Sequence, residues 1–350
     1  MKKPFIWDNY SDQPYPIKDK AYKKRMRRKH LWDYLPLFLT NFLFFPLSVL
    51  LMPLYRGGQK DKQNFYGMGV DIDKGESQKV LIDELGIKHL LIRMPLWQMD
   101  RVEEYVTFAK SFGEDKHILL NILQDREHIE DSALLKKDIE SIFEKFGSFV
   151  NEYQVGNAIN RTKWGFFSMR EYLEWYKSIQ QIRDAKYPQL KLIGSSVIDF
   201  EYHYTVRTLF NFFKLKYDKL SALLYVDRRG APKNRQMGIF DTKNKIDMLY
   251  SLTKLSPKTD ASIYITEVNW PLSNTAPYAP TSEVECVSEE EYARYMLEYH
   301  TIALHTNKIE RIYWHQLIAA GYGLVDDREG ILRKTKAFER YKRMIQNADI

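Results

Sequence analysis

Residues 66–71 read Tyr-Gly-Met-Gly-Val-Asp, residues 88–93 Lys-His-Leu-Leu-Ile-Arg and residues 117–121 His-Ile-Leu-Leu-Asn. These runs are short, mostly apolar without polar alternation, and each closes on a polar residue, the pattern of a strand covered on both faces. The pattern recurs at Glu152–Gly156, Lys191–Ser196, Leu220–Val226, Ser262–Glu267 and Arg311–His315. Between the runs lie helical patterns. Along Ser168–Lys186 the large apolar residues Tyr172, Trp175, Tyr176, Ile179 and Ile182 return at 3.6-residue spacing, and Ser168/Glu171 and Ser288/Glu291 match the capping box. Eight strand-helix units predict an α/β chain folded as a (β/α)8 TIM barrel over residues 63–350, with any active face at the C-terminal strand ends. The competing fold is an open doubly wound sheet. It needs a glycine-rich phosphate loop after the first strand, whereas Gly67-Met68-Gly69 precedes the core of that strand.

Working outward, 350 residues with 44% hydrophobic and 28% charged side chains exclude disorder, collagen and a polytopic transporter. The single cysteine, Cys286, forms no internal disulfide, and His89, His117 and His203 lack partners at metal-ligand spacing, so neither a metal nor a cofactor is expected. The net charge of +7 is unevenly placed: residues 1–62 hold 13 Lys/Arg against 5 Asp/Glu, and the remainder 40 against 41. A neutral body with a basic extension argues against nucleic acid as a partner.

The extension, residues 1–62, has two parts. Lys18 to Lys29 hold eight basic side chains, and Tyr34 to Tyr55 are 22 residues without a charge. As a helix this run would be roughly 33 Å long, about the thickness of a bilayer's hydrocarbon core. The expected partner of residues 18–55 is membrane lipid, at the inner membrane. If Tyr34–Tyr55 spans, the basic cluster before it predicts a periplasmic barrel. Pro36, Pro46 and Pro53 favour instead a re-entrant or interfacial segment with a cytoplasmic barrel. A hairpin buried against the barrel is the third reading.

The strand ends carry polar and aromatic residues: Arg93 and Trp97, Asn121, Asn157, Tyr225, Glu267 and Trp270, and Trp314. Aromatic faces stack on pyranose rings while amides, Arg and carboxylates take hydroxyls, so a carbohydrate is the expected ligand.

Three elements go further: Thr266-Glu267-Val268-Asn269-Trp270-Pro271 after the seventh strand, Trp314 in the eighth, and Tyr322-Gly323-Leu324-Val325-Asp326 beyond it. In these the chain resembles the clan A glycoside hydrolases, retaining TIM-barrel enzymes, over roughly Phe65 to Met344. The resemblance implies Glu267 as nucleophile, Tyr225 as its hydrogen-bond partner, Arg93 as an electrostatic neighbour and Trp314 as the floor of a sugar subsite. The clan's Asn-Glu pair after strand four reads Asn157-Ala158 here, so the amide is present and the acid/base position is vacant. Four accounts of Ala158 stay open: an engineered Glu-to-Ala trap, a natural glycan binder, a substitute carboxylate such as Asp199, Asp227 or Asp326, or a substrate with its own acid or a good leaving group. The expected function is a glycoside hydrolase-like protein acting on a cell-surface polysaccharide or lipid-linked glycan. Its alternative is an inactive glycan-binding or scaffolding protein of envelope polysaccharide or lipopolysaccharide assembly. A third class, an enzyme of phosphorylated metabolites using Arg228 and Arg229, lacks the glycine-rich phosphate loops.

Overall fold

The chain, described over residues 5–58 and 60–347 in a computed structural model, opens with a small antiparallel hairpin, β1 (Trp7–Asp8) and β2 (Gln13–Pro14). Two helices follow, α1 (Lys20–Lys29) and α2 (Tyr34–Leu51). The eight apolar runs then appear as β3 (Tyr66–Val70), β4 (His89–Pro95), β5 (His117–Leu123), β6 (Glu152–Val155), β7 (Lys191–Ile198), β8 (Lys219–Leu223), β9 (Ile263–Ile265) and β10 (Arg311–Trp314). All pair in parallel, and β10 closes on β3 to complete the barrel. The helical layer comprises α3 (Ser77–Leu85), α4 (Val102–Lys110), α5 (Arg126–Glu130), α6 (Ser132–Phe146), α7 (Met169–Lys186), α8 (Tyr202–Leu209), α9 (Thr242–Leu255) and α10 (Glu289–Thr306). A short antiparallel pair, β11 (Val325–Asp326) and β12 (Arg333–Lys334), precedes the closing helix α11 (Lys336–Asn347). The fold is therefore a (β/α)8 TIM barrel, not an open sheet.

Parallel strands need cover on both faces, which is why these runs carry no polar alternation. One face of each strand packs on the helices. The other fills the barrel, where Leu91, Leu119, Ile193, Tyr264 and Tyr313 make a separate interior cluster. Gly67 leaves room for the Tyr313 ring, since a Cβ there would lie 2.6 Å from Tyr313 Cδ1. Side chains alternate along a strand, so two residues beyond this layer the same inward side carries Arg93, Asn121 and His315. These open the functional end of the barrel.

The helix starts match the sequence signals. Ser168 Oγ accepts from Glu171 N at the head of α7, and Ser288 with Glu291 forms a reciprocal capping box on α10.

The N-terminal extension packs on the barrel. Its hairpin crosses the mouth, where Gln13 donates to Pro280 O and accepts from Lys163 Nζ. Helix α2 lies lengthwise against α8 and α9. Phe44 stacks on Phe210 with ring centroids 3.7 Å apart, Phe45 stacks on Tyr202, and Ser251 Oγ donates to Ser48 O. Pro36 falls in the first turn, where no donor is required, and Pro53 lies past the end, so Pro46 alone interrupts the helix interior.

Candidate active site

Strand β9 ends at Ile265, and one further backbone bond, Thr266 N to Ala222 O, carries the chain to the rim before it leaves as a loop. Glu267 is the first residue past that bond. Its side chain is almost wholly buried yet lines a cavity of about 470 Å³ at the mouth. Tyr225 Oη donates to Glu267 Oε1 at 2.7 Å, Arg93 Nη2 donates to Oε2 at 2.5 Å, and Asn157 Nδ2 lies 3.4 Å from the same Oε2. Burial alone would push this carboxyl up; the Arg93 guanidinium, followed by its other neighbours, brings it down to about 2. Glu267 is ionised at neutral pH.

Asn157 is held from every side. Gln124 Oε1 accepts from Asn157 N while Gln124 Nε2 donates to Asn157 O, and Asn157 Oδ1 accepts from Asn121 and Gln154. With its oxygen occupied, the amide must present its NH2 toward Glu267. Gly156, at φ +89°, makes the turn that delivers it.

Ala158 follows at φ 45°, a left-handed conformation, and is fully buried in the hydrophobic cluster shared with the helices. It does not line the cavity. Residue 158 is thus enclosed in packing rather than an open gap in the cavity wall.

The second carboxyl at Glu267 comes from the extension. Asp12 Oδ2 accepts from Arg93 Nη1 at 2.6 Å and from Gln316 Nε2 at 3.0 Å, so a single guanidinium separates the two acids. Burial, reinforced by Asp71 and Glu267, outweighs the pull of Arg93 and raises Asp12 to about 7. One cavity thus holds an ionised and a readily protonated carboxyl. His315 lines the same cavity and is kept neutral, its pKa lowered to about 3 by burial and by Arg93.

The expected aromatic platforms stand elsewhere. Trp270 and Trp314 are fully buried, stacked on each other at 5.9 Å, with their indole N–H groups satisfied by Gly230 O and Tyr292 Oη. Neither lines the cavity, because both rings pack among the aromatic side chains of α10. Trp97 is covered by Phe5 and Trp7 of the extension. Asn121 lies beneath the cavity, bonded to Asn157; neither amide is among the residues that line it, and Asn157 reaches the site only through its NH2 beside Glu267. Of the alternative carboxylates, Asp199 and Asp227 line the cavity, whereas Asp326 is engaged by Arg328 and Arg333 outside it. Sequence reading missed Asp12, His315 and Trp164, the indole that does line the cavity beside Arg93. Period-2 continuation from Tyr313 would have found His315; no local signal marks Asp12.

This architecture has close structural parallels. A family 1 β-glucosidase from Thermotoga maritima superposes with a TM-score of 0.60 at 10% identity, covering 84% of this chain and 99% of that one. Two β-glucosidase structures from the same organism, in complex with castanospermine and with a methoxycarbonyl-substituted glucoimidazole, each give 0.58 over the same shares, at 10% and 11% identity. The fold is the (β/α)8 barrel seen in these β-glucosidases. At this identity the likeness is one of fold. No protein-family profile matches the chain, and no curated protein matches its sequence. Within the barrel, Arg93, Asn157 and Tyr225 come from three different strands and converge on the carboxylate of Glu267 at the end of a fourth.

Proposed function

We propose that the cavity receives a sugar ring with its anomeric carbon over Glu267, and that the protein is a retaining glycosidase acting on a cell-surface or lipid-linked glycan. The supporting observation is the convergence of Tyr225, Arg93 and Asn157 on the Glu267 carboxylate. Tyr225 and Arg93 fix its two oxygens and keep it ionised, while Asn157 turns its NH2 to the same carboxylate. In the first half-reaction Glu267 attacks the anomeric carbon, the glycosidic C–O bond breaks, and its electron pair leaves on the departing oxygen. That oxygen needs a proton. Asp12 supplies it in this reading, because it is protonated below about pH 7 and shares Arg93 with the nucleophile. In the second half Asp12, now a carboxylate, takes a proton from water as the water oxygen attacks the same carbon and frees Glu267.

The test is turnover of aryl glycosides. Glu267→Gln abolishes release, while Asp12→Asn slows substrates with poor leaving groups far more than those with activated ones. Loss of turnover in Asp12→Asn that is equal for both would remove the proton-donor role and leave the nucleophile.

The second reading, a glycan binder of envelope assembly, draws on burial of Ala158 and on the hairpin that lies across part of the mouth. It predicts oligosaccharide binding that survives Glu267→Gln and no release from any aryl glycoside.

A further inference from the structure

Helix α2 is amphipathic in the wrong sense for water. Its polar side chains face the protein: Asn41 Nδ2 donates to His203 O at 2.9 Å, and Ser48, fully buried, has its Oγ against Met248 Sδ and its carbonyl bonded by Ser251. Its opposite face carries Leu35, Phe38, Leu39, Phe42, Leu43 and Leu50, all exposed, with Phe42 at 69% and Leu50 at 73%. The recurrence at three and four residues makes this one continuous stripe. It is extended at the helix start by Trp32, 80% exposed, and flanked by Met237 and Ile239 from the loop after β8. Exposed apolar patches of this extent mark an interaction surface.

The neighbouring charge identifies the occupant. Helix α1 reaches the stripe at Leu31, and Lys20, Lys23, Lys24, Arg27 and Arg28 line one hollow with that residue. None of the five has an ion-pair partner among the described residues. A second copy of this chain, meeting the stripe across a two-fold axis, would bring a like basic cluster close to this one. An anionic bilayer instead takes the leucine and phenylalanine side chains into its acyl boundary and the lysines and arginines at its headgroups.

We propose that the outer face of α2 and the basic face of α1 form an in-plane docking surface for an anionic phospholipid bilayer. The inner face, hydrogen-bonded to α8 and α9, holds the helix against the barrel, so the segment lies on the membrane rather than crossing it. In this geometry the N-terminal hairpin and the barrel lie on one side of the bilayer. Gln236 lines the cavity and Met237, the next residue, lies in the docking surface, so the mouth opens beside the bilayer. The inference stands on this packing and not on the glycosidase reading.

The experiment is flotation of the full chain with phosphatidylcholine vesicles, with and without phosphatidylglycerol. Binding is expected only with the anionic lipid. It should fall roughly tenfold or more on Lys23→Glu with Arg27→Glu, and be lost on Phe38→Glu with Phe42→Glu, while thermal unfolding of the latter stays unchanged because both rings are exposed. Protease added outside sealed vesicles should remove an N-terminal tag and leave no protected fragment. Equal binding to neutral vesicles, flotation undiminished by Phe38→Glu with Phe42→Glu, a protected N-terminus, or a dimer that the same pair dissociates would each overturn it.

Discussion

Arg93 serves two carboxylates at once, and the consequences can be measured side chain by side chain. Its guanidinium is bound on one nitrogen by Asp12 and on the other by Glu267, whose pKa values are held at about 7 and about 2. A reaction needing Glu267 ionised and Asp12 protonated therefore has a bell-shaped rate profile, with an acid limb near 2 and an alkaline limb near 7. Asp12→Asn is expected to remove the alkaline limb while leaving the acid limb, which a pH series on an activated aryl glycoside reads directly. Removing the Tyr225 hydroxyl as Tyr225→Phe takes away a hydrogen bond to a charged group, worth roughly 1.5–3 kcal/mol. Turnover should fall about 10- to 100-fold with the fold intact. Ala158→Glu behaves differently. The residue is buried in apolar packing at positive φ, so a carboxylate there is expected to destabilise the protein by about 3 kcal/mol or more and to restore no activity, checked by denaturant unfolding beside the rate assay. That Glu267, Tyr225 and Arg93 reach the mouth, with Asn157 just beneath them, was legible in the sequence because each stands at or near a strand end, where barrel geometry brings side chains together. Asp12 was not. It meets Arg93 across 81 residues, from a short hairpin with no periodicity of its own.

At the scale of elements, the strands were readable because burial on both faces leaves apolar runs of distinctive length. The aromatic residues misled for a related reason. Trp270 and Trp314 lie at strand ends, but their rings turn outward into the layer formed with α10, and the sequence does not say which way a ring at a strand end points. Helix boundaries were fixed by caps. Ser288 closes a capping box at the head of α10, and Ser288→Ala is expected to cost about 1 kcal/mol, seen as a small fall in Tm. On α2 the two faces should respond oppositely. Phe44→Ala removes a ring stacked on Phe210 and is expected to lower stability by about 2 kcal/mol, whereas the same change at exposed Phe42 leaves unfolding unaltered. Twenty-two uncharged residues raise the expectation of a membrane segment, and in the docking proposal the face offered to lipid follows from where Asn41 and Ser48 turn.

For the whole molecule, the extension and the barrel are parts of one arrangement. The same N-terminal segment lays Asp12 into the mouth, presents the basic helix α1 and docks α2 along the barrel wall, so the cavity and the apolar stripe are joined by one continuous stretch of chain. The account rests on Glu267 being the atom donor that attacks a sugar. Incubation with a 2-deoxy-2-fluoro glycoside bearing an activated leaving group, followed by intact-mass and peptide analysis, tests that claim most directly. The account predicts a mass increase of one fluoroglycosyl unit on the peptide containing Glu267, absent from Glu267→Gln. Labelling that persists in Glu267→Gln, or no labelling across gluco-, galacto- and manno-configured reagents, would contradict it.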